Sequence, residues 1–243
     1  MTSKITLSKV DFENLRDLDT CTVSNAIEKF NVRLRDEGFI SGSVRCQFPH
    51  FAPMLGYAVT ARVRTSAPPM EGHTYYDRTD WWSNVLTIPA PRVVVIEDLD
   101  KPPGVGSFVG EVHANILLSL GCVGVVTNGA VRGVNRVEPA GFQMFAGNVT
   151  PSHAYAHIVE FGEPVEIGGL KILPGDLIHG DRHGVQTIPL SIAPQLTNMA
   201  SKILNEDREL VEFCRSQGFS LRELTERLQR MGRLTRNKIG PSK

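Results

Sequence analysis

The sequence lacks the cysteine pattern that would hold a fold together through disulfides or zinc. Cys21, Cys46, Cys122 and Cys214 are widely spaced in 243 residues, and no two of them form a CxxC pair. The spacing therefore gives no disulfide framework and no zinc knuckle. Cys122 stands between apolar residues and is expected to be a small buried side chain.

An excess of charge and a long apolar run are also missing. Lys plus Arg and Asp plus Glu number 26 each, so the composition offers no overall basic surface for nucleic acid or an anionic membrane. No segment is long enough to span a bilayer, and the first residues lack the apolar region of a signal peptide. We therefore expect a soluble cytoplasmic protein without nucleic-acid or membrane partners.

What the sequence does contain is an α/β order of elements, and hydrophobic residues make up 41%, enough for one core. Helical spacing covers residues 8–30, where Thr20 or Thr22 is the expected cap of a second helix. Alternation at 56–65 predicts a half-buried strand, and the apolar run at 93–96 predicts a strand buried on both faces. The pattern then predicts a helix at 113–120, a strand at 122–127, a short helix at 134–140 and a strand at 142–145. Since helices separate these strands, the central sheet should be parallel.

The remainder of the chain has a different texture. Turn signals at short intervals predict an antiparallel β unit at 164–189. Residues 194–232 return to a helical pattern, with a break at Gly218 and a second helix capped by Ser220. The aromatic segment at 66–84 has two interpretations. It is either a helix packed on the sheet, or it lines a pocket or subunit contact through Tyr75, Tyr76, Trp81 and Trp82.

The chemistry concentrates where the strand at 122–127 ends. In open α/β folds ligands bind at the carboxyl ends of strands, and Arg132 follows this strand closely. An arginine offers a two-donor fork to a carboxylate, and Glu111 begins the preceding helix. We predict that Glu111, the amides after it and Arg132 form a pocket for a 2-oxo acid. The alternatives are a structural Arg132 paired with Glu138 or with a helix end, and a Glu111 that only interacts favourably with the helix dipole.

Several histidines and aspartates in the second half need separate interpretation. His153 and His157 are four residues apart, so on a helix they would share a face, either as part of a transition-metal site or as polar groups near an interface. Asp181, two residues before His183, is expected to accept hydrogen bonds from backbone amides in a turn. A second role, in supporting a functional site, stays open. Asp176 is expected to be a turn residue.

The order of motifs GEVHA, LGCVGVVTNGAVRG, GFQMFAGNVTP and PVEIGGLKILPGDLIHGDRHGVQTIP resembles the RraA-like proteins. That family holds divalent-metal aldolases acting on 4-hydroxy-4-methyl-2-oxoglutarate and the regulator of ribonuclease E activity. The resemblance implies one domain over residues 1–243, with a core at about 10–190 and a C-terminal helical extension at 194–232. It also implies a layered α/β/α sandwich of the swivelling β/β/α type, assembled as a trimer or hexamer with the site near a subunit interface.

Carried over residue by residue, the resemblance implies substrate binding by Gly110, Glu111, Val112, His113 and Arg132. Catalysis would fall to Arg132 and Glu111, with Glu111 also the metal ligand for Mg²⁺ or Mn²⁺. Two positions depart from the aldolase pattern. The aspartate that usually binds the metal is replaced by Gly133, and the usual Ser-Asp-Ala near the N-terminus is Ser24-Asn25-Ala26.

These residues favour a metal-assisted lyase that cleaves a 4-hydroxy-2-oxo acid or decarboxylates oxaloacetate through a pyruvate enolate. The alternative is a non-catalytic oligomeric regulator or binding protein on the same scaffold. Retained Glu111 and Arg132 favour the lyase, and Gly133 favours the alternative.

Overall fold

The computed structural model of the chain describes residues 7–69 and 78–234. Over these residues the helices are α1 (Lys9–Arg16), α2 (Thr20–Glu28), α3 (Arg78–Val85), α4 (Glu111–Ser119), α5 (Val134–Val137), α6 (Ala193–Arg215) and α7 (Leu221–Arg230). The strands are β1 (Arg45–Cys46), β2 (Met54–Arg64), β3 (Arg92–Asp98), β4 (Ser107–Val109), β5 (Cys122–Val131), β6 (Gln143–Val149), β7 (His157–Phe161), β8 (Val165–Ile167), β9 (Leu170–Ile172), β10 (Leu177–Asp181) and β11 (Gly184–Ile188).

A mixed sheet runs through the middle of the described chain in the order β1-β6-β5-β3-β2-β10-β11, with β4 added to β5 and β7 added to β2. The four central strands β6, β5, β3 and β2 are mutually parallel, as the alternation of strands and helices predicts. The strands β10 and β11 form an antiparallel hairpin that joins the sheet through β2. The predicted antiparallel unit is therefore confirmed.

The sheet separates two hydrophobic clusters. On β3, Val94 and Ile96 belong to the cluster under the helices, while Val93 and Val95 belong to the cluster on the other face. The second face is covered by the β8–β9 hairpin, which contributes Val165, Ile167, Leu170 and Ile172. The layers are thus hairpin, sheet and helices, the swivelling β/β/α type that the resemblance implies.

Two local expectations are wrong. The strand expected to be half-buried is β2, and it is buried along almost its whole length because helices cover one face and the β8–β9 hairpin lies over the other. The cap of α2 is neither Thr20 nor Thr22. It is Asp19, whose carboxylate accepts from the Thr22 amide at 2.8 Å.

The C-terminal helices follow the sequence prediction closely. Leu196, Ala200 and Ile203 of α6 are buried and join the helical-side cluster, so the extension packs against the core. Ser220 caps α7 by accepting from the Glu223 amide at 3.2 Å, as predicted. In residues 7–69 and 78–234 no helix combines the length and the apolar character needed to cross a lipid bilayer.

Candidate active site

A cavity of about 790 Å³ opens where β5 ends and α4 begins. Its lining includes Gly110, Glu111, Val112, His113 and Arg132, the five residues predicted to bind substrate. The two groups that the sequence singles out, the Glu111 carboxyl and the Arg132 guanidinium, therefore face one accessible pocket. Whether they bind or transform a substrate there stays a prediction.

The start of α4 presents backbone amides to this pocket. Gly110 has extended backbone angles at the N-cap and no side chain that could cap the helix, while its carbonyl accepts from the Ala114 amide at 2.8 Å. The amides of the first turn have no partner within a helix of this kind. Together with the helix dipole they form a site suited to a carboxylate.

Arg132 reaches the pocket because β5 is longer than expected and ends at Val131. Its amide donates to the carbonyl of Val109 at 3.2 Å, which ties the end of β5 to the residue just before Gly110. A Cβ at Gly110 would lie 3.1 Å from Cγ and 3.2 Å from Nε of Arg132. The arginine stem thus packs across the glycine, and a side chain at 110 would displace it.

Glu111 has a cationic neighbour that sequence reasoning missed. Its Oε2 lies 3.5 Å from Nη1 of Arg136, a residue of α5. Glu138, the partner considered for a structural Arg132, instead lies 3.0 Å from Nε2 of His50. Arg136 lies four residues after Arg132, but Arg132 precedes α5, so helical spacing gave no signal that linked them.

Gly133 occupies the position where aldolases of the resembled family carry an aspartate. It has a left-handed backbone (φ +63°), and a Cβ built there would lie 3.9 Å from the Glu111 amide nitrogen with no closer atom. A side chain at this position would therefore point toward the start of α4. There is space for a side chain at this position, but glycine has none that could bind a metal ion.

The side chains of the described residues around the pocket do not provide the ligands that a divalent metal ion needs. Mg²⁺ prefers several oxygen ligands, and of the described lining residues Glu111 alone carries a carboxylate, already beside Arg136. Within residues 7–69 and 78–234, no three His, Cys, Asp or Glu side chains are grouped so that they could hold a metal. Metal binding at Glu111 stays a prediction that this donor set does not support.

His113 supports the pocket from behind. Its Nδ1 donates to the Phe108 carbonyl at 3.1 Å, which leaves Nε2 to accept from the Trp82 indole at 3.4 Å. Burial lowers the pKa of His113 to about 4, against the opposing effect of the Phe108 hydrogen bond, and Arg78 lowers it further. The imidazole is therefore neutral at pH 7, and its position holds the first turn of α4 against α3.

Two histidines that the sequence placed on one helix also line the cavity. His153 and His157 both line the cavity, but they do not share a helix: His153 lies in a loop and His157 begins β7. Their Nδ1 atoms lie 2.9 Å from the Ala154 carbonyl and 2.7 Å from the Tyr155 carbonyl. The extended chain there is set by pairing of β7 with β2, which periodicity alone did not reveal.

The aromatic segment at 66–84 was predicted either to pack on the sheet as a helix or to line a pocket or subunit contact. Its described residues do both. Trp81 of α3 is fully buried in the core, and Trp82 lines the pocket. Arg78 of the same helix also lines it, with its Cζ 5.2 Å from the centre of the Phe108 ring. No motif in the sequence pointed to Arg78. Tyr75 and Tyr76 lie outside the described residues.

The remaining predicted residues lie elsewhere. Asp181, at the end of β10, accepts from the amides of Thr20 at 2.9 Å and His183 at 2.8 Å, so it fixes the start of α2. Burial raises the pKa of Asp181, but hydrogen bonds from the Thr20 hydroxyl and these two amides bring it below its usual value. Asp176 accepts from the Leu173 amide at 2.8 Å, as expected of a turn residue.

Ser24 and Asn25 lie on α2, and neither lines the pocket of this chain. Cys122 is buried, and burial raises its pKa to about 12, which makes it an inert core residue as predicted.

Comparison with known proteins supports the resemblance to the RraA-like family. The RraA-like family model, described as Aldolase/RraA, matches residues 20–186. A Halalkalibacterium halodurans protein provisionally named a 4-hydroxy-4-methyl-2-oxoglutarate aldolase is 29% identical over 119 residues, 49% of this chain and 56% of that protein. An uncharacterized Methanocaldococcus jannaschii protein is 32% identical over 93 residues, 38% of this chain and 45% of that protein. The chain spans about half the length of these curated relatives.

Solved structures extend the likeness over nearly the whole chain. An uncharacterized Pseudomonas syringae pv. tomato protein superposes with a TM-score of 0.72 at 19% identity, covering 93% of this chain and 98% of that one. Streptomyces coelicolor RraAS2, described as an unusual member of the RNase ES inhibitor RraA protein family, gives a TM-score of 0.65 at 21% identity, covering 87% and 98%. At these identities the likeness concerns the fold alone.

Proposed function

Because the chain belongs to the RraA-like family, which includes both aldolases and inhibitors of ribonuclease E, we propose that it is a lyase acting on a small 2-oxo acid. The reaction is retro-aldol cleavage of a 4-hydroxy-2-oxo acid, decarboxylation of oxaloacetate, or both. The observation that carries the proposal is that the start of α4, Glu111 and Arg132 line the same cavity.

The substrate carboxylate binds at the first-turn amides of α4, and Arg132 donates to this carboxylate and to the 2-oxo oxygen. In oxaloacetate the C3–C4 bond breaks, CO2 leaves, and the electron pair forms the C2–C3 double bond of an enolate. The charge that appears on the former 2-oxo oxygen faces the Arg132 guanidinium, which is the main source of rate enhancement. Protonation at C3 then gives pyruvate, and the proton comes from water held by the Glu111 carboxylate.

Pyruvate formation from oxaloacetate by the full chain tests the proposal directly. We expect Arg132→Ala to lower kcat by about 100-fold, the usual effect of removing one donor to a developing oxyanion. Arg132→Lys should recover part of that loss, since it keeps the charge but loses the fork. Arg222→Ala, which removes an exposed arginine of α7, is the matched control and should keep the wild-type rate.

A second candidate, a non-catalytic binding or regulatory protein on the same scaffold, is favoured by one observation. Gly133 leaves the pocket without the second carboxylate of the aldolase pattern. If wild type converts oxaloacetate no faster than buffer, and Gly133→Asp gains turnover with Mg²⁺ while Gly133→Asn does not, the second candidate replaces the first. Asp and Asn are nearly isosteric and both tolerate a left-handed backbone, so the pair isolates the charge.

We also propose that the chain forms a homo-oligomer, a trimer or hexamer, with the pocket near a subunit interface. Val112, which lines the pocket next to Glu111, is 74% exposed and would be covered by a subunit that packs over this side of the pocket. Such a subunit would also narrow the pocket entrance. Light scattering of the purified chain tests the assembly.

A further inference from the structure

The charges around the pocket are unevenly balanced. Three arginines, Arg78, Arg132 and Arg136, line the described wall together with one carboxylate, Glu111. We propose that the pocket holds a small dianion, the pyruvate enolate of the proposed reaction, by arginine charge and without a divalent metal ion. In this arrangement Arg136 supplies the positive charge beside Glu111. The inference rests on the proposed function and specifies its chemistry.

The position of Arg136 is the first support. Its guanidinium lies 3.5 Å from the Glu111 carboxylate, the group that a metal ion in this pocket would need as a ligand. Both side chains reach solvent, with 77% of Arg136 and 46% of Glu111 exposed, so the pair itself is weak and can rearrange around a ligand. A cation near Glu111 is therefore already part of the chain.

The lack of a carboxylate at Gly133 is the second observation that supports the proposal. A carboxylate there would balance one of the arginines, and it would lie close to the Glu111 amide. Without it, the arginines and the one glutamate among the described lining residues leave two positive charges in excess. Such a lining repels a divalent cation and attracts a dianion, since nearby like charges raise the free energy of a bound ion and opposite charges lower it.

The other two arginines are each fixed by a neighbouring residue of the pocket lining. Arg132 packs across Gly110, and Arg78 packs on the Phe108 ring. A pyruvate enolate carries one negative charge on its carboxylate and one on its oxyanion, on neighbouring carbons. The two excess positive charges match these two negative charges, and the first-turn amides of α4 supply neutral donors for the remaining oxygens.

Titration of oxalate, a planar dianion that mimics the enolate, into the full chain tests this inference. Calorimetry is run in EDTA and again in MgCl2, with free oxalate corrected for its magnesium complex. We expect wild type to bind oxalate with the same Kd in both buffers, and to bind the monoanion pyruvate more weakly. Arg136→Ala should weaken oxalate binding in EDTA by about tenfold, the effect of losing one charged donor. Arg222→Ala should leave the Kd unchanged.

Substitutions at Gly133 test the charge balance in the opposite direction. Gly133→Asp should weaken oxalate binding in EDTA by about tenfold and make it respond to Mg²⁺, while Gly133→Asn should behave as wild type. The inference is overturned if wild type binds oxalate only with Mg²⁺, or if Arg136→Ala binds as tightly as wild type. A Mg²⁺ requirement together with pyruvate formation would leave the proposed function standing. Absence of both binding and turnover in either buffer would remove the proposed function as well.

Discussion

At the scale of single residues, His113 shows how a residue that lines the pocket can also stabilise the fold. Its two ring nitrogens are used by the Phe108 carbonyl and the Trp82 indole, and its pKa is lowered to about 4 mainly by burial. A histidine whose folded pKa lies below its unfolded value of about 6.5 binds a proton more readily when unfolded. Its contribution to stability is complete above pH 6.5 and is lost as the pH falls toward 4.

Chemical unfolding at two pH values measures this contribution. Between pH 7 and pH 5, we expect His113 alone to lower the free energy of unfolding by about 2 kcal/mol, from the difference between its two pKa values. His113→Gln cannot gain a proton and should lose this share of the pH dependence. Other buried groups, such as His179, titrate in both proteins and cancel in the comparison. Identical pH profiles for the two proteins would contradict the assignment.

Sequence analysis could identify the pocket residues that belong to motifs. It could not identify those that only the folded chain brings to the pocket. Glu111 and Arg132 stand beside glycines at element ends, where a ligand can approach the backbone. Arg78 comes from a helix more than thirty positions earlier, and no local pattern links it to the pocket. His153 and His157 were misplaced because a spacing of four is informative only if the segment is helical.

At the scale of elements, α6 decides whether the C-terminal extension belongs to the core. It contacts α1 and α2, and Leu196 is fully buried, while Leu204 of the same helix is 38% exposed. The amphipathic spacing predicted this helix but could not say what covers its apolar face.

The two leucines form a matched pair for denaturant unfolding. Leu196→Ala should lower the free energy of unfolding by about 3 kcal/mol, because it leaves a cavity against the core. Leu204→Ala makes the same chemical change on the same helix and should cost less than about 1 kcal/mol. If both variants cost equally little, or if wild type unfolds in two separate transitions, the extension is not part of one cooperative domain.

Strand lengths were the least predictable feature of the elements. Asn128 and Gly129 have the composition of a turn, yet β5 continues through them to Val131. The Asn128 side chain bonds both the amide of Asp98, at 2.7 Å, and its carbonyl, at 2.9 Å, which replaces ladder contacts at this point. Gly129 fits because a Cβ there would lie 2.9 Å from the Asp98 side chain. Such compensation comes from a neighbouring strand and is invisible in a local window.

At the scale of the whole molecule, the parallel strands explain why residues far apart in sequence meet. The ends of β4 and β5 are paired, which places the start of α4 directly beside Arg132. Periodicity and connection lengths were sufficient to predict the parallel centre, the antiparallel unit and the terminal helices. They could not predict that β7 and the loop before it would fold across the far side of the cavity, since that depends on pairing between β2 and β7.

Crystallographic soaking of the full chain with oxalate in EDTA tests the central claim most directly. We predict that one oxalate carboxylate lies within hydrogen-bonding distance of the Glu111–His113 amides, with Arg132 donating to the ligand. Density for oxalate away from α4 and Arg132, or an empty pocket at saturating oxalate, would contradict the proposed site.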